Sequence, residues 1–399
     1  MSSSFFTLDE LGLRSDEDSQ SICLCAEDDD DRGSLSVFEI NDLATLAELQ
    51  PLWSDLLHKT LRPAFCQTWE WLQLYWTHFG ERQRLRVFCV ERNGDTIGLT
   101  VLIEQQTHGR RELTLPNVGV EMLWPLGVNP YWSWLAVGNQ LQTELTRKHS
   151  LDLRGLPDPQ DRTLVALNAA GLSVRSQSWT STSLLRLDGD FADLWSRVAP
   201  PLRNVVELGE QRLATLGPTN FVRFRPQTTS HTHPQFPDEL YQDCLTIALN
   251  DEQQLARADS VLNAPERHQF LRDLLPWAWQ HAAADLCLLL VGSRPVAFRF
   301  HTLVRGHLRT VWTGVDAEFR QLPLATLLLH RTLRDSAQRG DVELDLGPTH
   351  ADVARDWNGT QLPLRHIVAG AGSTCSPTPC GSDDSHCAPN LPSHKGLGY

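Results

Sequence analysis

The chain has 399 residues and an apolar fraction of 41%, which favours two folded domains with substantial cores. Its formal net charge is −14, of which residues 1–33 carry −8 through ten acidic residues and two arginines, leaving −6 for the rest. This mildly acidic remainder shows no sign of the basic stripe that nucleic-acid binding requires, so we expect no nucleic-acid partner.

The sequence also bears on location and metal binding. No apolar run approaches the roughly 18–20 residues of a membrane span, and the first residues lack the basic and apolar regions of a signal peptide. We therefore expect a cytoplasmic protein without a transmembrane segment. Four cysteines lie in apolar segments and are predicted to be small buried side chains: Cys66, Cys89, Cys244 and Cys287. The three tail cysteines form no C-x-x-C pair, so we predict no metal site.

The first half of the chain predicts a mixture of helices and strands. Residues 1–33, rich in Ser and Asp, are predicted to be disordered, and residues 34–190 to form the first domain. Two helical patterns, DLATLAELQPLWSDLLHKT and FCQTWEWLQLYWTHFG, precede a hairpin that turns at Asn93-Gly94. Strands at ELTLP, EMLWPLG, SLDLRGL and SLLRLDG then mix with helices near 139–147 and 159–170. This mixture, without a strict βαβ repeat, indicates an α+β fold.

The second half repeats that plan after a connector. Residues 191–218 read as a charged helical connector that breaks at Pro200-Pro201. The second domain, 219–369, has a strand, two helices, a hairpin turning at Gly292-Ser293, further strands and a long helix. Both halves contain a strand that ends in DLRG or DLGP, so the architecture looks duplicated although no residue-level repeat is visible. The tail, 370–399, is rich in Ser, Pro, Gly and Cys and is predicted to be disordered.

One turn in the second half has the layout of a pyrophosphate site. In the stretch FRQLPLATLLLHRTLRDSAQRGDVELDLG, a helix begins near Pro323 and is preceded by Arg320. Free N–H groups and the dipole at a helix start attract an anion, and an arginine can grip a phosphate. The glycines usual in such turns are absent, and Leu322 and Leu324 would narrow the approach. An ordinary strand–helix connection with a solvent-facing arginine fits the same residues.

The order of these segments resembles a known family, the GNAT acyltransferases. More narrowly, the chain resembles the tandem-GNAT proteins of the CelD type, linked with cellulose and exopolysaccharide biosynthesis, whose distant relatives are the FemABX aminoacyltransferases. The stretches FCQTWEWLQLYWTHFG, PPLRNVVELGEQRLATLG, RPVAFRFHTLVRGHLRTVWTGVD and DVELDLGPTHADVARDW carry this resemblance, which covers about residues 38–360. The family usually has Ser-Pro-Gly where this chain has Leu322-Pro323-Leu324, and Tyr-Lys where it has about Val353-Ala354.

The resemblance implies two tandem GNAT-like domains joined by the helical connector, and an acyltransferase activity. An acyl group, in the first instance acetyl, would pass from acetyl-CoA or another acyl-CoA to an amine or hydroxyl of a sugar or cell-envelope precursor. The acyl group would lie between splayed strands along Arg309–Val315, where backbone N–H groups could polarise its carbonyl. The residues implied for the CoA are Val315, Arg320, Pro323, Leu324, Ala325 and Thr326.

Proton handling and acceptor binding need further side chains. His301 and Asp345 are the candidates for the catalytic base. Arg299 and His301 alternate with two phenylalanines on one strand, so we expect them to share a face that could border the cleft. The residues predicted to bind the acceptor are Arg299, Trp312, His350 and Trp357. A sheet histidine without a role, a turn-capping aspartate and core tryptophans remain open as alternatives.

Two other functions remain open. A FemABX-like transfer from an aminoacyl or carrier-bound donor would need a basic track for tRNA, which the acidic chain does not offer. A catalytically degenerate GNAT-like binding protein is favoured by the altered turn and the missing Tyr-Lys. The sequence contains no G-x-S-x-G, P-loop, H-E-x-x-H or G-x-G-x-x-G motif that would indicate another chemistry.

Overall fold

A computed structural model describes most of the chain between Ser34 and Gly370. The described residues are 34–107, 109–118, 124–145, 149–157, 162–187, 189–226, 236, 238–255, 265–347 and 351–370. The segments predicted to be disordered, 1–33 and 370–399, lie outside these ranges except for Gly370, which the structure places at the end of a strand. His350 also lies outside the described ranges. Within the described ranges, no helix is long and apolar enough to cross a membrane.

The first half contains five helices and seven strands in its described part. They are β1 (Leu35–Ile40), α1 (Leu43–Glu48), α2 (Gln50–Lys59), α3 (Trp69–Phe79), β2 (Arg84–Arg92), β3 (Asp95–Thr107), β4 (Arg110–Thr114), β5 (Leu126–Gly127), α4 (Pro130–Leu141), β6 (His149–Pro157), α5 (Arg162–Ala169) and β7 (Val174–Arg186). The predicted hairpin forms because Asn93 and Gly94 both adopt positive φ, as a two-residue turn of this kind requires. The helix predicted near 139–147 instead begins at Pro130, because the Asn129 side chain accepts the N–H of Tyr131 and Pro130 suits the first turn.

The second half follows the same order. Its elements are α6 (Phe191–Arg197), α7 (Pro200–Ala214), β8 (Thr219–Phe224), α8 (Asp238–Leu255), α9 (Pro265–Gln280), β9 (Ala284–Val291), β10 (Arg294–Val304), β11 (His307–Val315), α10 (Leu324–Arg339), β12 (Glu343–Asp345), α11 (Ala351–Asp356) and β13 (Thr360–Gly370). The long helix α10 ends where Gly340 enters the left-handed region at φ 75°. The last strand, β13, was not among the elements predicted from the sequence.

All thirteen strands belong to one sheet with a symmetric order. The order is β1-β2-β3-β4-β6-β13-β7-β12-β11-β10-β9-β8, and β5 pairs with β3. The end strand of each half pairs with the other half, since β7 lies on β12 and β13 lies on β6. The duplication extends to the β-bulges. Strand β3 has an extra residue, Ile97, that has no partner on β2, and β10 has an equivalent residue, Val296, that has no partner on β9. The two halves are therefore built alike and share a continuous sheet.

Helices cover both faces of this sheet in the second half. On one face, α10 buries Leu329 and Leu333 against strand residues such as Leu308 and Leu344. The connector helix α7 packs on the start of α10 so closely that a Cβ on Gly209 would lie 2.8 Å from Pro323 Cγ. The opposite face carries α8 and α9 over the aromatic side chains of β10 and β11. The face opposite α10 also borders the first half, and the candidate site lies there.

Candidate functional site

Strands β11 and β12 separate after three residue pairs. The paired residues are His307 with Glu343, Leu308 with Leu344, and Arg309 with Asp345. Beyond Asp345 the chain bonds to β7 instead, where the Leu346 N–H donates to the Ser183 carbonyl at 2.9 Å. Strand β11 continues to Val315 beside β10. The pairing of β11 with β12 therefore ends at Arg309, and the rest of β11 is the segment in which the resemblance implied an acyl group.

The start of α10 is the implied pyrophosphate site. Pro323 occupies the N-cap position of α10, and its side chain makes no cap hydrogen bond. The residue at the cap therefore leaves the first backbone N–H groups of the helix without a side-chain acceptor. Leu322 and Leu324 are buried in the core between α7 and α10, which removes the expected obstruction of the approach. Ala325 is exposed and Thr326 is partly exposed. An anion could reach the backbone N–H groups of these two residues.

Two other residues implied for the CoA lie close to this helix start. The guanidinium of Arg320 lies 3.3 Å from the carbonyl oxygen of Asp251 and 3.4 Å from its carboxylate, on helix α8. This pair is exposed, and exposed pairs contribute only about 0–1 kcal/mol, so Arg320 can exchange it for a phosphate at little cost. Val315 is partly buried and packs against the core beneath α10.

His301 and Arg299 share a face, as predicted, but that face lies beneath α10. Arg299 pairs with Cys287, which belongs to the core under this helix. His301 is completely buried, and its Nδ1 lies 3.2 Å from the Thr310 hydroxyl. Burial lowers the pKa of His301 to about 3 and that of Arg299 to about 10. The expectation that this face borders a cleft is wrong, and His301 is not accessible to an acceptor.

The predicted tryptophans belong to the core. Trp312 is buried and contacts the ring of Phe298 edge-on at a centroid distance of 4.7 Å. Trp357 is buried under the connector, with Trp195 at a centroid distance of 6.1 Å. Neither residue lines the cleft between the two halves or the small cavity beside Trp53 in the first half. The alternative interpretation of both residues, packing in the core, fits the structure.

A cleft of about 380 Å³ lies between the two halves. The residues that line it from the first half belong mainly to the segments around Leu61–Phe65 and Trp124–Pro130, to the end of β6 and to the start of α5. The second half supplies a polar floor consisting of Thr302, His307, Arg309, Glu343 and Asp345. Of the residues predicted for the site, this floor contains only Asp345. The missed residues had one signal, because polar side chains alternate in HLR on β11 and in ELD on β12 and so face one side.

Asp345 has one anchored and one available carboxylate oxygen. Its Oδ1 accepts hydrogen bonds from the Thr182 hydroxyl and from the Gly347 N–H at 2.8 Å. Its Oδ2 lies 3.5 Å from Nη1 of Arg309 and accepts no hydrogen bond from the described residues, although the side chain is nearly buried. A buried carboxylate oxygen without a donor costs about 1–3 kcal/mol. Because Asp345 lines the cleft, a ligand bound there could supply the missing donor.

The first half closes the cleft through an arginine. Nε of Arg62 lies 3.4 Å from Oε2 of Glu343, and Oε1 of Glu343 lies 3.8 Å from Nδ1 of His307. Arg62 adopts φ 53°, which is unusual for a residue with a side chain. Arg305, at φ 51°, donates to the carbonyl of His58 in the same region of the first half. These contacts hold the segment after α2 over the floor.

Asp152 is the counterpart of Asp345 in the first half. It lies opposite Thr114 in the last pair of β4 with β6, as Asp345 lies opposite Arg309 in the second half. Its carboxylate is fully bonded, with His366 Nε2 at 3.1 Å and Arg154 at 2.9 and 3.0 Å. Burial raises the pKa of Asp152, but these hydrogen bonds outweigh burial and hold it below its usual value. The first half thus has the same framework without an available carboxylate oxygen.

Comparisons with known proteins agree with this architecture. Residues 202–355 match the family described as an acetyltransferase (GNAT) domain. The crystal structure of FemX matches with a TM-score of 0.56 at 10% identity, over 80% of this chain and 95% of that chain. A conserved protein of unknown function from Bacteroides thetaiotaomicron VPI-5482 matches with a TM-score of 0.51 at 9% identity, over 83% and 99% of the two chains.

A tandem GNAT protein from the clavulanic acid biosynthesis pathway also matches, with a TM-score of 0.47 at 14% identity, over 85% of this chain and 100% of that chain. No curated protein sequence matches the chain significantly. Residues 202–355 are therefore similar to a GNAT acetyltransferase domain, and they belong to an α+β fold whose two halves repeat one order of elements.

Proposed function

We propose that the protein transfers an acyl group from acyl-CoA, in the first instance acetyl-CoA, to an amine or hydroxyl bound in the cleft. The position of Asp345 carries this proposal. Asp345 belongs to the last pair of β11 with β12, it lines the cleft, and its Oδ2 has no hydrogen-bond donor among the described residues. The end of this pairing, where the donor would lie, and the base for the acceptor would thus meet at one residue.

The residues at the start of α10 suit the donor. Ala325 and Thr326 would offer backbone N–H groups to the pyrophosphate, and Arg320 would add a positive charge from the preceding turn. The pantetheine would lie beside the rest of β11, whose backbone groups can bond it. When bound, acyl-CoA supplies a thioester whose carbonyl carbon is open to a nucleophile.

Asp345 would act as the base. A neutral amine donates a hydrogen bond to Oδ2, and its proton passes to that oxygen as the nitrogen–carbon bond forms. The carbon–sulfur bond breaks with its electron pair on sulfur, so that CoA leaves as the thiolate and takes up a proton from solvent. Thr182 and the Gly347 N–H hold Oδ1, so that the carboxylate keeps one orientation. Arg309 lies close enough to stabilise the charged carboxylate before the transfer.

The test compares Asp345→Asn with Asp152→Asn, the matched change in the other half. Acetyl-CoA binding is measured by calorimetry, and release of CoA is measured with a panel of amines and amino sugars. We expect Asp345→Asn to bind acetyl-CoA normally and to lose about 10²–10⁴-fold in turnover, the usual contribution of a general base. Asp152→Asn should keep turnover within a few-fold. Full turnover in Asp345→Asn would refute its role as the base.

The resemblance to CelD-type proteins supports a narrower setting for this activity. In that setting the protein works in the cytoplasm, and the acceptor is a sugar or another precursor of the cell envelope or of an exopolysaccharide. An acceptor of this class fits a cleft of about 380 Å³ between two domains.

A second candidate is a transferase whose donor is an aminoacyl or carrier-bound acyl group. The turn before α10 has no glycine and Arg320 is already paired with Asp251, which favours a donor without a pyrophosphate at this position. Absence of heat with any acyl-CoA, together with transfer from an acyl carrier protein, would support this candidate over the first.

A further inference from the structure

The side of the cleft that faces the floor is apolar. Leu61, Phe65, Trp124, Val128, Leu156 and Leu362 form this apolar wall. Leu61 is 68% exposed and Val128 is 73% exposed, the two highest values among large apolar side chains in the described part of the chain. Exposed apolar side chains that gather at a cavity mark a surface for an apolar ligand group.

The apolar wall is held in place rather than left mobile. Leu61 directly precedes Arg62, whose backbone takes a left-handed conformation while its side chain reaches Glu343 on the floor. Arg305 from the second half bonds the His58 carbonyl just before this segment. Backbone conformations of this kind persist where surrounding contacts impose them, often at ligand sites. The apolar wall is therefore positioned before a ligand arrives.

The charges of the cleft are nearly balanced. The two carboxylates of the floor, Glu343 and Asp345, each lie near an arginine, Arg62 or Arg309. Arg162, exposed at the start of α5, is the one further arginine among the described lining residues. This arrangement offers no cluster of positive charge for a polyanion such as a nucleotide diphosphate sugar. The two carboxylates lie on the floor, where the transfer would take place, and the first half adds Arg62, Arg162 and Thr163 to the polar lining.

We infer that the acceptor is an amphiphile, a primary amine attached to a hydrocarbon chain or ring. The amine reaches Asp345 on the floor, and the hydrocarbon part covers Leu61 and Val128 on the apolar wall. This inference rests on the proposed acyl transfer and names its acceptor class. It narrows the sugars and envelope precursors implied by the resemblance to molecules that carry an apolar segment.

The test compares three primary amines with acetyl-CoA as the donor: hexylamine, ethanolamine and glucosamine. We expect kcat/KM for hexylamine to exceed that for each polar amine by about tenfold or more, since a hydrophobic pocket discriminates about 10–200-fold per methylene at its best. In Leu61→Asn the advantage of hexylamine should fall several-fold through a higher KM. Val165→Asn, a matched change of an apolar side chain that is 44% exposed on α5 and does not line the cleft, should keep that advantage.

The outcomes separate this inference from the proposed function. Equal or better transfer to glucosamine would overturn the amphiphile and leave the acyltransferase intact. If none of the three amines is acetylated, hexylamine alone is titrated into the protein by calorimetry. Binding that weakens in Leu61→Asn and not in Val165→Asn would sustain the inference about the apolar wall, and absence of binding would overturn it.

Discussion

Burial of His301 should make the free energy of unfolding depend on pH. The pH range of this effect lies above the range in which the carboxylates titrate. The pKa of this histidine is near 6.5 when it is exposed in the unfolded chain and about 3 in the folded protein. Between these values the unfolded state binds a proton that the folded state does not. Stability is therefore complete above about pH 6.5 and falls by about 1.4 kcal/mol for each pH unit below it. From pH 6.5 to 5 the loss is about 2 kcal/mol.

The charged groups around His301 do not reverse this sign. Burial is the largest cause of its low pKa; Asp285 opposes the shift, and Arg299, Arg223 and Arg225 add to it. Burial raises the pKa of Asp285, but the attraction and hydrogen bonds of Arg223, together with the charges of His301 and Arg225, outweigh burial and lower this pKa. The stability that Asp285 contributes is therefore lost only as the pH falls below its unfolded value of about 3.9, outside the window from 7 to 5.

The assay is urea unfolding of the wild type and of His301→Gln at pH 7 and pH 5. Glutamine stays neutral and can still bond Thr310, so that the variant lacks only the titration. We expect the wild type to lose about 2 kcal/mol more than the variant between the two pH values. Equal losses in the two proteins would refute the reasoning. They would show that His301 of the wild type takes up a proton in the folded state as readily as in the unfolded state.

Two further predictions concern the packing around α10. Arg223→Met should lower the free energy of unfolding by about 3–5 kcal/mol in urea titrations, because it removes a buried partner of the completely buried Asp285. Arg331→Met, which breaks the more exposed pair with Glu210, should lower it by about 1 kcal/mol or less. Similar losses in the two variants would contradict this account. Gly209→Ala should cost about 1–3 kcal/mol, because the new methyl group would lie 2.8 Å from Pro323 Cγ. An unchanged thermal midpoint would show that α7 moves aside freely.

Much of the element order could be predicted because its signals are local. Asn93-Gly94 specifies a tight hairpin through its own backbone preferences, and Gly340 ends α10 for the same reason. Asp345 is a candidate because the family resemblance places an acceptor near the turn that follows this strand. Strand β13 was missed, and its partners β6 and β7 precede it by more than 170 residues, a separation that no local pattern reports.

By itself, the sequence determined the α+β class and the duplicated order of elements, since both follow from neighbouring residues or from a regular alternation. Alternation showed that Arg299 and His301 share a face, but only the tertiary structure decided that α10 covers this face. The cleft also depends on the folded chain, because Arg62 and Glu343 are 281 residues apart in sequence and meet only when the two halves come together. Which side of a strand is buried is decided by the helix that packs on it.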